Sequence, residues 1–159
     1  MAEILETVAR FFEEDEWPFS RLDELSILQT GFQGENGQWN CFAEAREEQT
    51  QFLFYSVCPI HVPEDKRQAT AEFLTRANFG LPIGNFEMDW ENGLIRCKTS
   101  TDVQSNQLGL DMVKQLVYAN VFMMDIYLPG LMTVVYGDAS PSAAVAQVEE
   151  QDLEGANSP

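Results

Sequence analysis

The chain has 159 residues, of which 45% are hydrophobic, so it is long enough for one domain with its own core. Its 26 acidic residues against 9 basic ones give a formal net charge of −17, with acids concentrated at both ends of the chain. A surface of this charge repels phosphate backbones and anionic membranes. We therefore expect neither nucleic acid nor a membrane among its partners.

Apolar residues at helical spacing, such as Ile4, Val8 and Phe12, predict a first amphipathic helix over residues 2–14. Trp17-Pro18 is expected to end this region. The segment is acidic and lacks the basic start and apolar run of a signal peptide, so we expect the protein to be cytoplasmic.

Three strands of an antiparallel meander are expected next, because alternating segments are separated by short polar turns. Asn36-Gly37 is typical of a two-residue hairpin loop, which would place Phe32 opposite Cys41. The third strand is apolar on both faces, which indicates a central position, and Pro59 is expected to end it. The predicted strands are Leu25–Gln33, Gln38–Arg46 and Thr50–Cys58.

A second helix is predicted over Glu64–Asn78, and a second hairpin over Asn85–Ser100. Apolar and polar residues alternate along this hairpin, and Asn92-Gly93 favours a type I′ turn because both central positions need a positive φ. This register puts one apolar face on the core and two ion pairs on the wet face. The predicted pairs are Asp89 with Arg96 and Glu87 with Lys98.

The longest helical pattern is Leu108–Leu128, which we expect to end at Pro129-Gly130. The overlapping segment 116–135 is long enough to cross a bilayer. Asn120 and Asp125 interrupt it, however, and no basic flank anchors it. A buried helix is therefore expected.

Ser140 as N-cap and Pro141 in the first turn predict a last helix to about Glu150. Residues 151–159 are expected to form a frayed acidic tail. Residues 1–150 then form a single α+β domain with the order α-βββ-α-ββ-α(-α). Its antiparallel sheet has about five strands, the three-strand meander plus the hairpin, packed with helices.

No set of side chains in the sequence specifies a reaction. His61 is the only histidine, and Cys41, Cys58 and Cys97 lack the close spacing of zinc ligand pairs. A Cys₃His zinc site from these four residues is the alternative, but apolar neighbours favour reduced thiols in the core. We expect no catalytic residues, no metal and no cofactor.

Three long stretches of the sequence resemble the YbjN family in its cyanobacterial form, and together they cover most of Gly34 to Gly137. They are GENGQWNCFAEAREEQTQFLFYSVCP, VPEDKRQATAEFLTRANFGLPIGNFEMDWENGLIRCKTSTDV and LVYANVFMMDIYLPGLMTVVYG, and the run TRANFGLPIGNFE is the most specific. The resemblance implies a type III secretion chaperone-like fold. It also implies a regulator of sensory transduction that is generally dimeric and has no established catalytic residues.

These observations predict a non-enzymatic homodimer that binds an unidentified protein or peptide as a chaperone-like or regulatory adaptor. The dimer would use the long helix or the second helix, because the long helix has more apolar positions than one sheet face can cover. A small-molecule sensor with a pocket between the sheet and the long helix is the alternative. The candidate partner-binding residues are Met112, Leu116, Met123, Met124, Tyr127 and Leu128.

Overall fold

The computed structural model describes residues 3–104 and 107–157, which form four α-helices and one antiparallel sheet of six strands in the order β1-β2-β3-β4-β6-β5. The α+β class and the predicted element order are confirmed, with one strand more than expected. The elements are α1 (Glu3–Glu14), β1 (Ser20–Leu22), β2 (Ile27–Gln33), β3 (Gln38–Arg46), β4 (Gln51–His61), α2 (Arg67–Phe79), β5 (Asn85–Met88), β6 (Leu94–Asp102), α3 (Leu110–Val135) and α4 (Pro141–Asn157).

The missed strand is β1, which has only three residues, all of them exposed. Neither length nor alternation distinguishes so short a strand from a loop. At the other end of the chain, α4 continues to Asn157, past the predicted end at Glu150. The division into a domain and a tail stays a prediction.

One face of the sheet carries the core. Phe52 and Phe54 on β4 are completely buried there, and Phe54 packs against Phe12 of α1. From α3, Leu116 contributes a carbonyl oxygen that accepts a hydrogen bond from the Thr99 hydroxyl of β6. The hydrogen bonds and ring contacts that join the helices to the strands all involve this face or the edge of the sheet. Among the described residues, the opposite face makes none of these contacts, and we call it the helix-free face.

Both hairpins have a register two residues away from the predicted one. Phe32 pairs with Trp39 rather than with Cys41, so the first turn has four residues, Gly34–Gly37. In the second hairpin Glu87 pairs with Arg96, and the predicted Asp89–Arg96 pair is wrong. Because a shift of two residues preserves the side-chain alternation, the predicted core faces are nevertheless correct within the strands. The exception is Trp90, which the alternation predicts on the core face but which lies in the lengthened turn and is 56% exposed.

Tertiary contacts lengthen the second turn to residues 89–93. Gly93 is the only residue of this loop with a positive φ, at 77°, and a Cβ there would overlap the carbonyl oxygen of Val62. The amide of Val62 donates to the carbonyl oxygen of Gly93 at 2.9 Å. Gly93 lies so close to Val62, in the segment after β4, that this position requires glycine. This contact holds the longer turn in place of the predicted type I′ turn.

The helix α3 continues through Pro129 to Val135, so the predicted end at Leu128 is wrong. Proline has no N–H, which leaves the carbonyl oxygen of Asp125, four residues earlier, without its helical donor. The Asn36 side chain supplies that donor, with its Nδ2 2.9 Å from the Asp125 carbonyl oxygen. The Asp125 carboxylate in turn accepts the backbone N–H groups of Glu35 and Asn36 at 3.0 and 2.8 Å. We call these contacts the Asn36–Asp125 clasp.

The strand β4 also continues past its predicted end at Cys58. The pairing of β4 with β6 shifts between Val57 and His61, so residues 58–60 form a bulge that contains Pro59. Proline is tolerated in a bulge because its missing N–H breaks no ladder hydrogen bond there. The strand bends at this point instead of ending.

Candidate functional site

The six partner-binding residues predicted on α3 have different environments. Met112 is 44% exposed, whereas the other five are buried inside the chain. The reason is that α1, α2, α4 and the sheet all contact α3 and cover its surplus apolar surface. By length and hydropathy α3 passes the test for a membrane span, but 56% of its most apolar window is buried in the fold, as expected of a core helix. A partner could reach the buried five only after α3 had moved.

The helix-free face offers apolar side chains without any movement. Phe42 and Tyr55 lie directly opposite each other on β3 and β4, and both are half-buried. Val57 continues the apolar strip along β4. The Arg96 guanidinium lies over the Tyr55 ring, 4.4 Å from its centroid, which holds that ring in place.

The charges on the helix-free face pair with one another. Arg96 Nε and Lys98 Nζ donate to the Glu87 carboxylate at 2.6 and 2.9 Å. Partial burial acts to raise the pKa of Glu87, but the hydrogen bonds and positive charges of Lys98 and Arg96 outweigh it and lower the pKa below its usual value. Arg46 is paired in the same way with Glu44 at 3.2 Å. The apolar strip therefore lies among compensated charges, in contrast to the acidic chain as a whole.

A cavity of about 670 Å³ opens beside β3 and β4, beyond the last pair of the two strands. Their pairing ends at Cys41 and Ser56, just before the bulge of β4. We call this cavity the β3–β4 slot. The end of the first hairpin lines one side of it, and residues 57–59 and His61 line the other.

The three cysteines are free and buried. Burial raises the pKa of Cys41 to about 12 and that of Cys58 to about 11, and it also raises the pKa of Cys97. Hydrogen bonds between Ser56 and Cys41 and between the Ile60 backbone and Cys58 offset the shift only in part. These thiols are therefore protonated at neutral pH and are poor nucleophiles and poor metal ligands.

We expect all three thiols to resist alkylation by iodoacetamide in the folded protein at pH 8 and to react in denaturant, because only unfolding exposes them and restores an ordinary pKa. Their raised pKa values make the folded state bind protons more tightly than the unfolded state above pH ~8.5, so stability should fall as the pH rises beyond that value. Mass spectrometry of the alkylated protein measures the first effect. Rapid labelling of one cysteine under native conditions would contradict the burial argument.

The described ranges, 3–104 and 107–157, contain no group of three His, Cys, Asp or Glu side chains arranged to hold a metal ion. His61 is exposed at the end of β4. The absence of metal and cofactor remains a prediction, which a strong chelator tests through the melting temperature.

A second apolar area lies at the end of α2, beside the edge strand β5. The Asn78 side chain accepts the Phe86 N–H at 2.7 Å and donates to the Phe86 carbonyl oxygen at 3.1 Å. This amide satisfies the edge of β5 and blocks strand addition there. Next to it, Phe79 is 96% exposed and Ile83 is 51% exposed. We call Phe79 and Ile83 the α2–β5 patch.

Residues 5–120 match the YbjN protein family, described as "Putative bacterial sensory transduction regulator". The chain belongs to the YbjN family. The match spans everything from α1 to the middle of α3, including the helix-free face, the slot and the α2–β5 patch. The recognised family is thus confirmed, whereas its cyanobacterial form stays a prediction.

Solved structures show that this fold occurs in YbjN relatives and in secretion chaperones. The chain is similar to YbjN from E. coli, described as "a putative transcription regulator", with a TM-score of 0.58, 12% identity, and coverage of 86% of this chain and 92% of that one. It is also similar to a chain of the ExsC–ExsE complex, with a TM-score of 0.53, 14% identity, and coverage of 80% and 92%. ExsC is a type III secretion chaperone, which confirms the chaperone-like fold. No curated protein matches the chain.

Proposed function

We propose that this YbjN-family chain is a non-catalytic binding module that recognises another protein or a peptide, as a chaperone-like or regulatory adaptor in the cytoplasm, and that it acts as a homodimer. The family description and the fold shared with ExsC, whose complex with ExsE is a protein complex, support a binding role. The unreactive thiols are consistent with it.

The observation that carries the proposal is the helix-free face. Aromatic and aliphatic side chains of the central strands are half-exposed there, among charges that already have partners. A partner can cover Phe42, Tyr55 and Val57 without desolvating an unpaired charge, which is the costly part of forming an interface. Tyrosine and arginine are also enriched among the residues that dominate binding energy.

Site-specific cross-linking tests this surface. A photoreactive phenylalanine analogue at Tyr55 should capture a protein other than the chain itself in an extract of the source cell. The same analogue at Gln147, which is exposed on α4, should not capture it. Identical adducts at both positions, or no heterologous adduct at Tyr55, would contradict the proposal.

The α2–β5 patch supports the homodimer. Phe79 exposes almost its whole ring, and the second helix was one of the two predicted dimer contacts. Because Asn78 already satisfies the edge of β5, we expect the two subunits to pack through side chains and not to join their sheets.

Light scattering after size exclusion should give twice the 18.0 kDa of one chain at micromolar concentration. Phe79→Glu should convert the dimer to a monomer, because it places two like charges in a self-complementary contact. Leu153→Glu, a comparably exposed apolar residue on α4, is the matched control and should leave the dimer intact. A wild-type monomer would overturn the homodimer, and a Phe79→Glu dimer would overturn this choice of interface.

The small-molecule alternative gains no support from its predicted location. The space between α3 and the sheet is filled by completely buried side chains that include Val117, Val121 and Met124. A second cavity among the described residues, of about 710 Å³, lies between α1 and two loops and not between α3 and the sheet. Its Glu47 carboxylate already accepts the N–H groups of Ile4 and Leu5 at 3.0 Å.

A further inference from the structure

The β3–β4 slot is a consequence of the bulge in β4. The segment Cys58-Pro59-Ile60 adds extra length to this strand in its pairing with β6, and a bulged strand bends locally. Bulges of this kind are common beside binding sites, where they end strand pairing at a defined point. Here the pairing of β3 with β4 ends at Cys41 and Ser56 and leaves a cavity of about 670 Å³.

The walls of the slot are strand edges. Residues 38–40 of β3 pair with β2 along one edge. Along the edge that faces β4 they have no pair, because they lie beyond the last pair of β3 with β4. The facing residues 58–60 of β4 pair with no strand in the described ladders, and the Ile60 backbone forms a hydrogen bond with the Cys58 sulfur. Strand edges of this kind recognise another polypeptide in extended conformation, because its backbone continues the hydrogen-bond ladder.

The side chains of the slot suit the same ligand. Gln33, Gln38 and Asn40, which carry amide side chains, line the slot together with Phe32 and Trp39. Among the described residues no Asp, Glu, Lys or Arg lines it, although the chain as a whole carries a net charge of −17. An uncharged peptide segment meets amide partners there, whereas a charged one finds no counter-charge.

Gly31 provides an independent indication that the slot is kept open. It lies inside β2, where glycine lowers stability relative to alanine because it loses more backbone freedom on folding. The fold does not require glycine there, because its φ is not positive and an added Cβ would meet only the Trp39 carbonyl oxygen, at an ordinary 3.5 Å. Any side chain at this position would point into the slot. Glycine inside a strand often marks the close approach of a ligand or another backbone.

We propose that the β3–β4 slot binds an extended, uncharged peptide segment of the partner protein. This inference rests on the proposed function and names the part of the partner that is recognised. The helix-free face would then cover folded or flanking parts of the same partner.

The test uses a phage-displayed library of random peptides, selected on the full-length protein. We expect enriched uncharged sequences whose affinity, measured by fluorescence polarisation, falls by about tenfold or more in Gly31→Tyr. Gln29→Tyr is the matched control, since it introduces the same ring two residues away on the same strand and face but outside the slot. It should change the affinity less than about twofold. Melting temperatures confirm that both variants fold.

The proposal is overturned if the selection yields no binding peptide, or if the enriched peptides bind Gly31→Tyr as tightly as the wild type. Cross-linking at Tyr55 distinguishes this failure from failure of the proposed function. A heterologous adduct at Tyr55 together with an unused slot would leave the binding module intact and would remove only its peptide site.

Discussion

Replacing Asn120 by Asp should lower the free energy of unfolding at pH 7 by about 3–5 kcal/mol. Asn120 is completely buried on α3, and its Nδ2 donates to the carbonyl oxygens of Phe54 and Cys97 at 2.9 and 3.0 Å. It also lies 3.2 Å from the Thr99 hydroxyl oxygen. This amide therefore ties α3 to two neighbouring strands. A carboxylate would direct negative charge at the two carbonyl oxygens.

The loss should depend on pH. Burial raises the pKa of the new carboxyl above its unfolded value of about 3.9, so the folded variant binds the proton more tightly than the unfolded one. Relative to wild type, stability should then fall as the pH rises from about 4 through the folded pKa, and it should recover on acidification. Urea unfolding of both proteins between pH 4 and pH 8 measures this difference.

Asn120→Leu is the control for this experiment. It removes the same hydrogen bonds without adding a charge, and it also removes the Asn120 Oδ1 atom, which has no hydrogen-bond partner among the described residues. We expect a loss of about 1–2 kcal/mol that does not change with pH relative to wild type. Equal losses for the Asp and Leu variants at pH 7 would contradict a buried charge as the cause.

The Asn36–Asp125 clasp should account for the second largest effect. Asp125→Ala should lower the free energy of unfolding by about 2–3 kcal/mol, because two backbone N–H groups of the first turn lose a charged acceptor. Asn36→Ala should cost about 1 kcal/mol, because the Asp125 carbonyl oxygen loses the donor that replaces the missing Pro129 N–H. Urea unfolding of the single variants gives both values.

A double-mutant cycle tests whether Asn36 compensates for Pro129. Pro129→Ala restores a helical N–H for the Asp125 carbonyl oxygen, so Asn36→Ala should cost about 0.5–1 kcal/mol less in that background. Asn92→Ala is the matched control, since Asn92 accepts the Leu94 N–H in the other turn at 2.9 Å and has no contact with the clasp. Additive effects of Asn36 and Pro129 would contradict the compensation.

The two binding surfaces differ in how far the sequence indicates them. The apolar residues on both faces of the third strand, among them Leu53, Tyr55 and Val57, correctly predict its central position and also indicate that its second face is unusually apolar. The exposure of Phe79 has no such signal, because a phenylalanine at the end of an amphipathic helix is equally compatible with burial. For the slot, Gly31 and Pro59 are visible in the sequence, but only the structure places them at one cavity.

Local patterns in the sequence are enough to predict the elements that depend on neighbouring residues alone. Strand β3 has the predicted bounds, Gln38–Arg46, and the predicted first helix agrees closely with α1, because periods of 2 and 3.6 residues directly reflect which face is buried. The turns, the continuation of α3 and the accessible surface depend instead on contacts between elements that are distant in the sequence. Asp125 and Val62 fix the two hairpin registers from outside the hairpins, and Asn36 lets α3 pass Pro129. Three other helices cover α3, so the candidate binding surface lies on the helix-free face instead. The residues of α3 alone do not predict this, because exposure depends on which elements pack together.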